Sequence, residues 1–204
     1  MMMKDLGTRV ATVWEGLRPV TKKLIVGALE SGTAAPAQSR KFFYDAHADW
    51  EVSRLLTALD EQSNTPAVRK NATKRTEIEA LANTCVRVLE EQTASAEVFI
   101  QLATRAIRDN DYNRLDKLAD RLAERFSAGE IAEIVRQTEL PQIRAIAYET
   151  LAMLPIQVIM PLLDDPLYAG IAAGALEQKA YEFDSEEARD LLDQFDSENQ
   201  VGDE

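Results

Sequence analysis

Apolar residues recur along most of this chain at intervals of three and four positions, which is the spacing of one face of an α-helix. The clearest example is residues 95–108, where Val98, Phe99, Leu102 and Ala106 alternate with polar positions. Alternation with a period of two, as in a half-buried strand, is scarce. The pattern therefore predicts an all-α fold of roughly nine to eleven short helices joined by short connections.

An amphipathic segment begins the chain. Its apolar positions follow steps of four and three, as in a coiled-coil seam: Leu6, Val10, Val13, Leu17, Val20 and Leu24. Pro19 interrupts this seam, and proline removes a helical hydrogen bond and crowds the preceding turn. We therefore expect two helices or a kink near Arg18. Residues 31–38 have the composition of a linker.

Helix boundaries are signalled farther along the chain. A helix is predicted from about Lys41 to Asp60, with core anchors at Phe43, Trp50, Leu55, Leu56 and Leu59. Prolines are favoured in the first turn of a helix, and four prolines are predicted to start helices: Pro66, Pro141, Pro155 and Pro166. Two capping signals predict further starts, Ser127 with Glu130 and Asp184 with Glu187. Residues 196–204 are expected to form a frayed acidic tail.

A repeated pattern follows three of the prolines. The positions two, six and ten residues after each proline form one buried stripe: Ile143, Ala147 and Leu151 after Pro141; Tyr168, Ala172 and Leu176 after Pro166; and Val68, Ala72 and Thr76 after Pro66. The small alanine in each stripe would let a paired helix approach closely. Such periodicity is typical of helical repeats.

These residues make the chain resemble the HEAT-like family of helical repeats. The best matches are residues 130–154 and 156–181, with a weaker copy near 50–76, and Pro161-Leu162-Leu163-Asp164-Asp165-Pro166 is similar to the family's turn between paired helices. The chain departs from the pattern in residues 92–126, and at Ala169 and Gly170, where valine and arginine are common. The resemblance implies a short right-handed α-solenoid of antiparallel helix pairs with an N-terminal amphipathic helical extension.

The pattern divides the chain into four segments. Residues 1–30 are the amphipathic helical segment, 31–38 the linker, 39–195 the helical-repeat domain, and 196–204 an acidic disordered tail.

Charge is distributed unevenly. The 204 residues include 23 basic and 35 acidic side chains, for a net charge of −12. Residues 1–44 hold seven bases and three acids, whereas 145–204 hold two bases and fourteen acids. A net negative chain repels phosphate backbones, so nucleic-acid binding is not expected. The acidic end is interpreted either as a solvated surface or as a docking surface for a basic partner.

Few residues suggest chemistry. His47 and Glu51 share a helix face and could supply two metal ligands, but no further histidine or cysteine element completes a site, so a solvated surface histidine is favoured. The single cysteine, Cys85, lies on an apolar face and is interpreted as packing. Gly170 and Gly174 are interpreted as a point of close helix packing. We therefore predict no catalytic, cofactor or metal site.

Two groups of residues are predicted to bind a partner. One is Trp14, Arg18 and Lys22 on the N-terminal helices. This segment could instead cap the first repeat, self-associate or lie on a membrane surface. The other is the basic cluster of Arg69, Lys70, Lys74 and Arg75, whose alternative is ordinary ion pairing with Glu77, Glu79 or a neighbouring helix.

The function that the resemblance implies is a non-catalytic adaptor or scaffold that binds a protein partner through its helical-repeat surface. Two alternatives stay open: a ligand- or cofactor-handling helical enzyme with a pocket between helices, and a membrane-surface accessory protein anchored by residues 5–29. The chain has no apolar run of transmembrane length, its start does not resemble a secretory leader, and it has one cysteine, so we expect a cytoplasmic protein.

Overall fold

A computed structural model describes residues 3–32 and 44–201, and every regular element in this part of the chain is helical. The all-α prediction is thereby confirmed. The described part of the chain also has two short 3-10 helices, Met3–Leu6 and Met160–Leu162. The α-helices of the described residues are α1 Thr8–Gly16, α2 Pro19–Ser31, α3 Ala46–Ser63, α4 Pro66–Arg69, α5 Ala72–Gln92, α6 Ala96–Arg108, α7 Tyr112–Arg125, α8 Ala128–Gln137, α9 Pro141–Met153, α10 Ile156–Ile159, α11 Ala169–Glu182 and α12 Glu186–Val201.

The chain divides into two compact units, Met1–Thr93 and Ala94–Glu204. In the first unit α3 packs along α5, while α1 packs on α3 and α2 on α5. The core between them is formed by fully buried apolar side chains: Val52, Leu55, Leu56, Leu59, Leu81, Cys85 and Leu89. Cys85 is therefore a packing residue, as the sequence predicted.

The N-terminal segment breaks into two helices where Pro19 predicts it. α1 ends at Gly16, and Arg18 has the extended backbone (φ −60°, ψ 147°) that a following proline favours. The break changes the helical register, so that Val20 is exposed although Leu17 and Leu24 are buried. The prediction of Val20 as a position of the apolar seam is thus wrong, whereas the predicted break near Arg18 is confirmed.

The predicted linker is described only at its first residues. Ser31 is the last residue of α2, and Gly32 closes the helix with a left-handed backbone (φ 66°), a conformation that glycine adopts without a steric penalty. The rest of the linker, residues 33–38, lies outside the described residues, as do Lys41 and Phe43 of the helix predicted from about residue 41.

Two of the four prolines begin helices as predicted. Pro66 and Pro141 are the first residues of α4 and α9. Pro155 instead stands just before α10, and Pro166 lies in a turn three residues before α11. At Pro166 a hydrogen-bonded turn comes first: the Asp165 side chain accepts from Leu167 N–H at 2.9 Å, and the Asp165 backbone oxygen accepts from Tyr168 N–H at 2.9 Å. The regular helix therefore begins only at Ala169.

The predicted caps are right in part. The Ser127 hydroxyl accepts from the backbone N–H of Glu130 at 3.2 Å, but the Glu130 carboxylate accepts from the backbone N–H of Ala96 at 2.7 Å and so caps α6 instead of its own helix. Ser185, not Asp184, caps α12, since its hydroxyl accepts from Ala188 N–H at 3.3 Å.

The predicted tail is partly helical. The backbone of α12 continues as helix to Val201, so residues 196–201 belong to a regular element. Residues 202–204 lie outside the description.

In the second unit, five of the described helices, α6, α7, α8, α9 and α11, each contact both a sequence neighbour and the next helix but one. α6 packs on α7 and α8, α7 on α9, α8 on α9, and α9 on α11, which also packs on α12. The stripe predicted after Pro141 is fully buried at Ile143, Ala147 and Leu151. The second stripe is fully buried at Ala172 and Leu176 and half-buried at Tyr168.

The weaker third copy does not have a buried stripe. Val68 is buried, but Ala72 and Thr76 are exposed. The reason is local: α4 stops at Arg69, and the Asn71 side chain then caps α5 by accepting from Lys74 N–H at 3.1 Å. A helix that restarts at Ala72 does not keep the register set by Pro66.

Neither of the two glycines predicted at a close helix contact is required by such a contact. A methyl group on Gly174 would lie 3.4 Å from the Tyr148 ring of α9, which is an ordinary van der Waals distance. At Gly170 a methyl group would meet nothing within 4 Å.

A carboxylate joins α8 to the turn before α11. Glu133 accepts from Arg136 Nη2 at 2.6 Å, from the Tyr168 hydroxyl at 3.0 Å, and from the Gln137 amide. These hydrogen bonds, led by that from Arg136, lower the pKa of Glu133 from 4.5 to about 2. The same carboxylate raises the pKa of Tyr168.

Acid should therefore weaken the second unit through Glu133. A carboxylate with a lowered pKa stabilises the fold above its unfolded value, and this stabilisation is lost as the pH falls from 4.5 towards about 2. Glu133→Gln should cost about 1 kcal/mol at pH 7 and should lose less stability between pH 7 and pH 3 than the parent. Urea unfolding followed by circular dichroism at both pH values measures this.

A matched control for that experiment is Glu149→Gln. Glu149 is exposed on α9 of the same unit, so this variant should follow the parent at both pH values. If Glu133→Gln loses as much stability between pH 7 and pH 3 as the parent protein, Glu133 is not the source of the acid sensitivity.

Candidate functional site

The predicted basic cluster lies exposed across the break between α4 and α5. Arg69 donates from Nη2 to the Asn64 side-chain oxygen at 3.2 Å, and Arg75 Nε lies 3.6 Å from Glu79 Oε1. Lys70 and Lys74 are exposed in the same stretch. The ion pair with Glu79 that was considered as the alternative is therefore present at Arg75. Binding of a partner by the cluster stays a prediction.

The three N-terminal candidates have different surroundings. Trp14 is half-buried, and the Lys22 ammonium donates to the backbone oxygen of Glu15 at 3.0 Å. The Arg18 guanidinium is held by two carboxylates: Nε donates to Glu51 Oε2 at 3.0 Å, while Nη1 and Nη2 donate to Asp45 at 3.0 and 2.8 Å. Arg18 therefore joins α2 to α3, and its donors are largely used within the first unit.

Glu51 is the centre of this arrangement. It is 2% exposed, and it also accepts from the backbone N–H of Arg18 at 2.6 Å and from the buried Thr21 hydroxyl. Burial raises the pKa of the Glu51 carboxyl, but the hydrogen bonds from Thr21 and Arg18 outweigh burial and leave the pKa lowered. Glu51 therefore carries its charge inside the fold as a structural anchor.

The neighbouring aspartates are structural as well. Asp45 caps α3 by accepting from Ala48 N–H at 2.8 Å, and the Arg18 guanidinium holds its pKa well below the usual range. Asp49 is buried and accepts from the Tyr44 hydroxyl at 2.6 Å and from Thr93 at 3.0 Å. Burial, followed by the hydrogen bond to Asp49, raises the pKa of Tyr44.

His47 and Glu51 do share a face, with Nε2 of the imidazole 3.8 Å from Oε1 of the carboxylate. Among the side chains that the structure describes, however, His, Cys, Asp and Glu form no group of three or more that could hold a metal ion.

Trp50 is not the core anchor that the sequence predicted. Its side chain is 49% exposed. The Arg54 guanidinium lies over the indole ring, 4.4 Å from its centroid, and the His47 ring lies 5.4 Å away. Residues 47, 50 and 54 line one outer strip of α3, whereas Leu55, Leu56 and Leu59 are buried. A tryptophan partly covered by a cation in this way can remain at the surface.

The second unit exposes apolar side chains among carboxylates. Between positions 145 and 193, where the structure describes the side chains, the exposed large apolar residues are Met153, Val158, Met160, Leu167, Tyr181 and Phe183. They belong to the stretch with two bases and fourteen acids. Exposed apolar surface bordered by polar groups is typical of interaction sites.

A cleft of about 370 Å³ lies between α10 and α12 on this acidic unit, and we call it the α10–α12 cleft. Its lining combines three apolar with three acidic side chains: Ile156, Met160, Leu191, Glu186, Glu187 and Asp190. The Gln157 amide donates to Glu187 at 3.3 Å across the two helices. The cleft is therefore an apolar depression with a carboxylate border.

Local turns position the two sides of the cleft. Asp184 has a left-handed backbone (φ 54°), which aspartate tolerates better than most residues, and the chain reverses there into α12. Arg189 donates to Asp184 and to the Ala180 backbone oxygen, which ties the start of α12 to the end of α11. The acidic end was predicted from the sequence, but this cleft was not. Its only signal in the sequence was the pair of acids at positions 186 and 190.

Compared with family models, curated proteins and solved structures, the chain matches none. Among the described residues, no helix combines the length and the apolar character needed to cross a membrane.

Proposed function

We propose that this protein is a non-catalytic interaction module that binds a basic protein partner through the acidic surface of its second unit. The observation that carries the proposal is the exposure of Met160, Leu167 and Tyr181 within a strongly acidic stretch. Apolar groups of this kind supply binding energy when a partner covers them. The surrounding carboxylates select the partner's charge.

The charge distribution supports a protein rather than a nucleic acid as the partner. A stretch of sequence with two bases and fourteen acids repels the phosphate groups that supply most nucleic-acid affinity. The same surface accelerates encounters with a positively charged protein, and this acceleration weakens as salt is added.

We also propose that the second unit is a short HEAT-like α-solenoid. Contacts of α6 with α8, α7 with α9 and α9 with α11 support this, because stacked helix pairs bring each helix against its counterpart in the next pair. Solenoids present extended surfaces to protein partners. A solenoid fold does not by itself establish partner binding. The exposed acidic surface supports partner binding independently of the fold.

Carbodiimide cross-linking tests the proposed function, because this reagent joins a carboxylate to a lysine in direct contact with it. The tagged full-length chain is cross-linked in extracts of cells that produce it, and the products are mapped by mass spectrometry. We expect one stoichiometric protein whose lysines are joined to carboxylates of residues 145–193, in amounts that decrease at high salt.

Two results would contradict the proposal. One is a stoichiometric partner joined only to carboxylates of the first unit. The other is a co-purifying small molecule without a protein partner, which would favour the alternative of a ligand-handling helical protein.

A further inference from the structure

The floor of the α10–α12 cleft is suited to inserted apolar side chains. The apolar part of its lining consists of Ile156, which is buried, Met160, which is 42% exposed, and Leu191. Methionine is unbranched and adapts its shape to different partners. A volume of about 370 Å³ is at the lower end of the range for binding pockets, about 300–1,000 Å³. The cleft can therefore accept side chains of a bound segment.

The border of the cleft places negative charge beside that floor. Glu186 and Asp190 are four residues apart on α12, so they are neighbours on one helix face, about 6 Å apart along the axis. Within the part of the chain that the structure describes, neither forms an ion pair with a basic side chain. Acidic side chains in the first turn of a helix stabilise that helix. This effect explains why an acid is present at Glu186, but it does not explain the acid at Asp190, which lies in the second turn.

The chemistry of the cleft selects among the known modes of peptide recognition. The described residues contain no strand, so strand addition to a sheet edge is not available there. Proline-rich segments bind grooves lined by aromatic rings, and phosphorylated segments bind arginine clusters; the lining has neither kind of residue. An amphipathic helix whose apolar face enters a groove is the mode that matches the mixed apolar and acidic lining.

We infer that the α10–α12 cleft binds an amphipathic helix of a partner protein, with an apolar anchor against Met160 and Leu191. A lysine or arginine pair spaced four residues apart on that helix faces Glu186 and Asp190. Two basic residues four positions apart on the partner helix have the same spacing as Glu186 and Asp190 on α12. The charges therefore match position by position and not only in sign. This inference rests on the proposed function and assigns the binding site and the chemical class of the partner segment.

Methionine-methyl NMR of the full-length protein provides a local readout. The chain has five methionines, of which only Met153 and Met160 lie beyond the first three residues. The probe is a synthetic helical peptide of about fifteen residues, made of Lys, Leu and Ala, with leucines on one face and lysines four apart. We expect it to shift the Met160 methyl signal, assigned with Met160→Leu, and to leave Met153 unshifted.

Peptide and protein controls separate the cleft from the general acidic field. A peptide of the same composition in scrambled order, and one with Glu in place of Lys, should leave the Met160 signal in place. Asp190→Lys should weaken binding of the basic amphipathic peptide by at least about tenfold. Glu177→Lys makes the same charge change at an exposed position of α11 outside the cleft and should weaken it by less than about twofold.

The outcomes distinguish this inference from the proposed function. An unshifted Met160 signal, or equal weakening by Asp190→Lys and Glu177→Lys, would overturn the cleft assignment. Cross-links from a natural partner to other carboxylates of the second unit would then still support the proposed function. Failure to cross-link any protein to the second unit would reject the proposed function itself, whatever the peptide does.

Discussion

Replacing Glu51 with alanine is expected to lower the free energy of unfolding of the first unit by about 2–4 kcal/mol. The carboxylate is almost fully buried and accepts hydrogen bonds from the Arg18 backbone, the Arg18 side chain and the Thr21 hydroxyl. Thr21 is itself fully buried, so the substitution leaves its hydroxyl without this acceptor. It also releases the contact that holds the start of α2 against α3.

Tryptophan fluorescence during urea unfolding measures this effect, because both tryptophans of the chain, Trp14 and Trp50, belong to the first unit. The matched control is Glu79→Ala. Glu79 is exposed on α5 and lies 3.6 Å from Arg75, and such a surface pair contributes less than about 1 kcal/mol. Equal unfolding midpoints for the Glu51 and Glu79 variants would show that the buried network adds nothing to stability.

Replacing Phe99 with alanine should destabilise the second unit by about 3–5 kcal/mol. Phe99 is 1% exposed on α6, and its ring packs nearly edge-on against Phe126, with the ring centroids 5.7 Å apart. Alanine would remove both the apolar surface of the ring and this aromatic contact. If the neighbouring helices do not close the cavity left by the ring, the remaining empty volume lowers the free energy of unfolding further.

Urea unfolding followed by circular dichroism measures the loss. Phe183→Ala is the matched control, because the same atoms are removed from a side chain that is 49% exposed; its effect on stability should stay within about 0.5 kcal/mol. If the two phenylalanine variants unfolded alike, Phe99 would not be the core residue that its burial indicates.

The existence of the helices was predictable from the sequence, because the signals are local. α6, α7 and α8 follow the spacing of their apolar residues, and Pro19 and Pro141 begin helices through their own backbone constraints. The wrong predictions after Pro66 and Pro166 also have local causes, because residues close to each proline set where the helix begins. At Pro66 the asparagine cap at position 71 starts a new helix, and at Pro166 the preceding residue delays α11 until Ala169.

The candidate site was predictable only in its charge. The excess of acids after position 145 is visible in the sequence and indicates an acidic surface. The α10–α12 cleft, however, joins residues 156–160 to residues 186–191, and no periodicity within one helix shows which neighbouring helix will face it. Trp50 was misassigned for a different reason: an aromatic residue was expected in the core, but Trp50 contacts His47 and Arg54 on the outer face of its own helix.

The sequence by itself determined the all-helical class, most helix starts, the buried stripes after Pro141 and Pro166, and the acidic end, because each depends on residues within a few turns of one another. Only the tertiary structure decided which polar side chains became internal. Arg18 meets Glu51 across 33 positions, and Glu130 caps the helix that begins at Ala96. The physical reason is that a buried charge or a free helix end must find a partner, and the packing of the helices determines which partner is within reach.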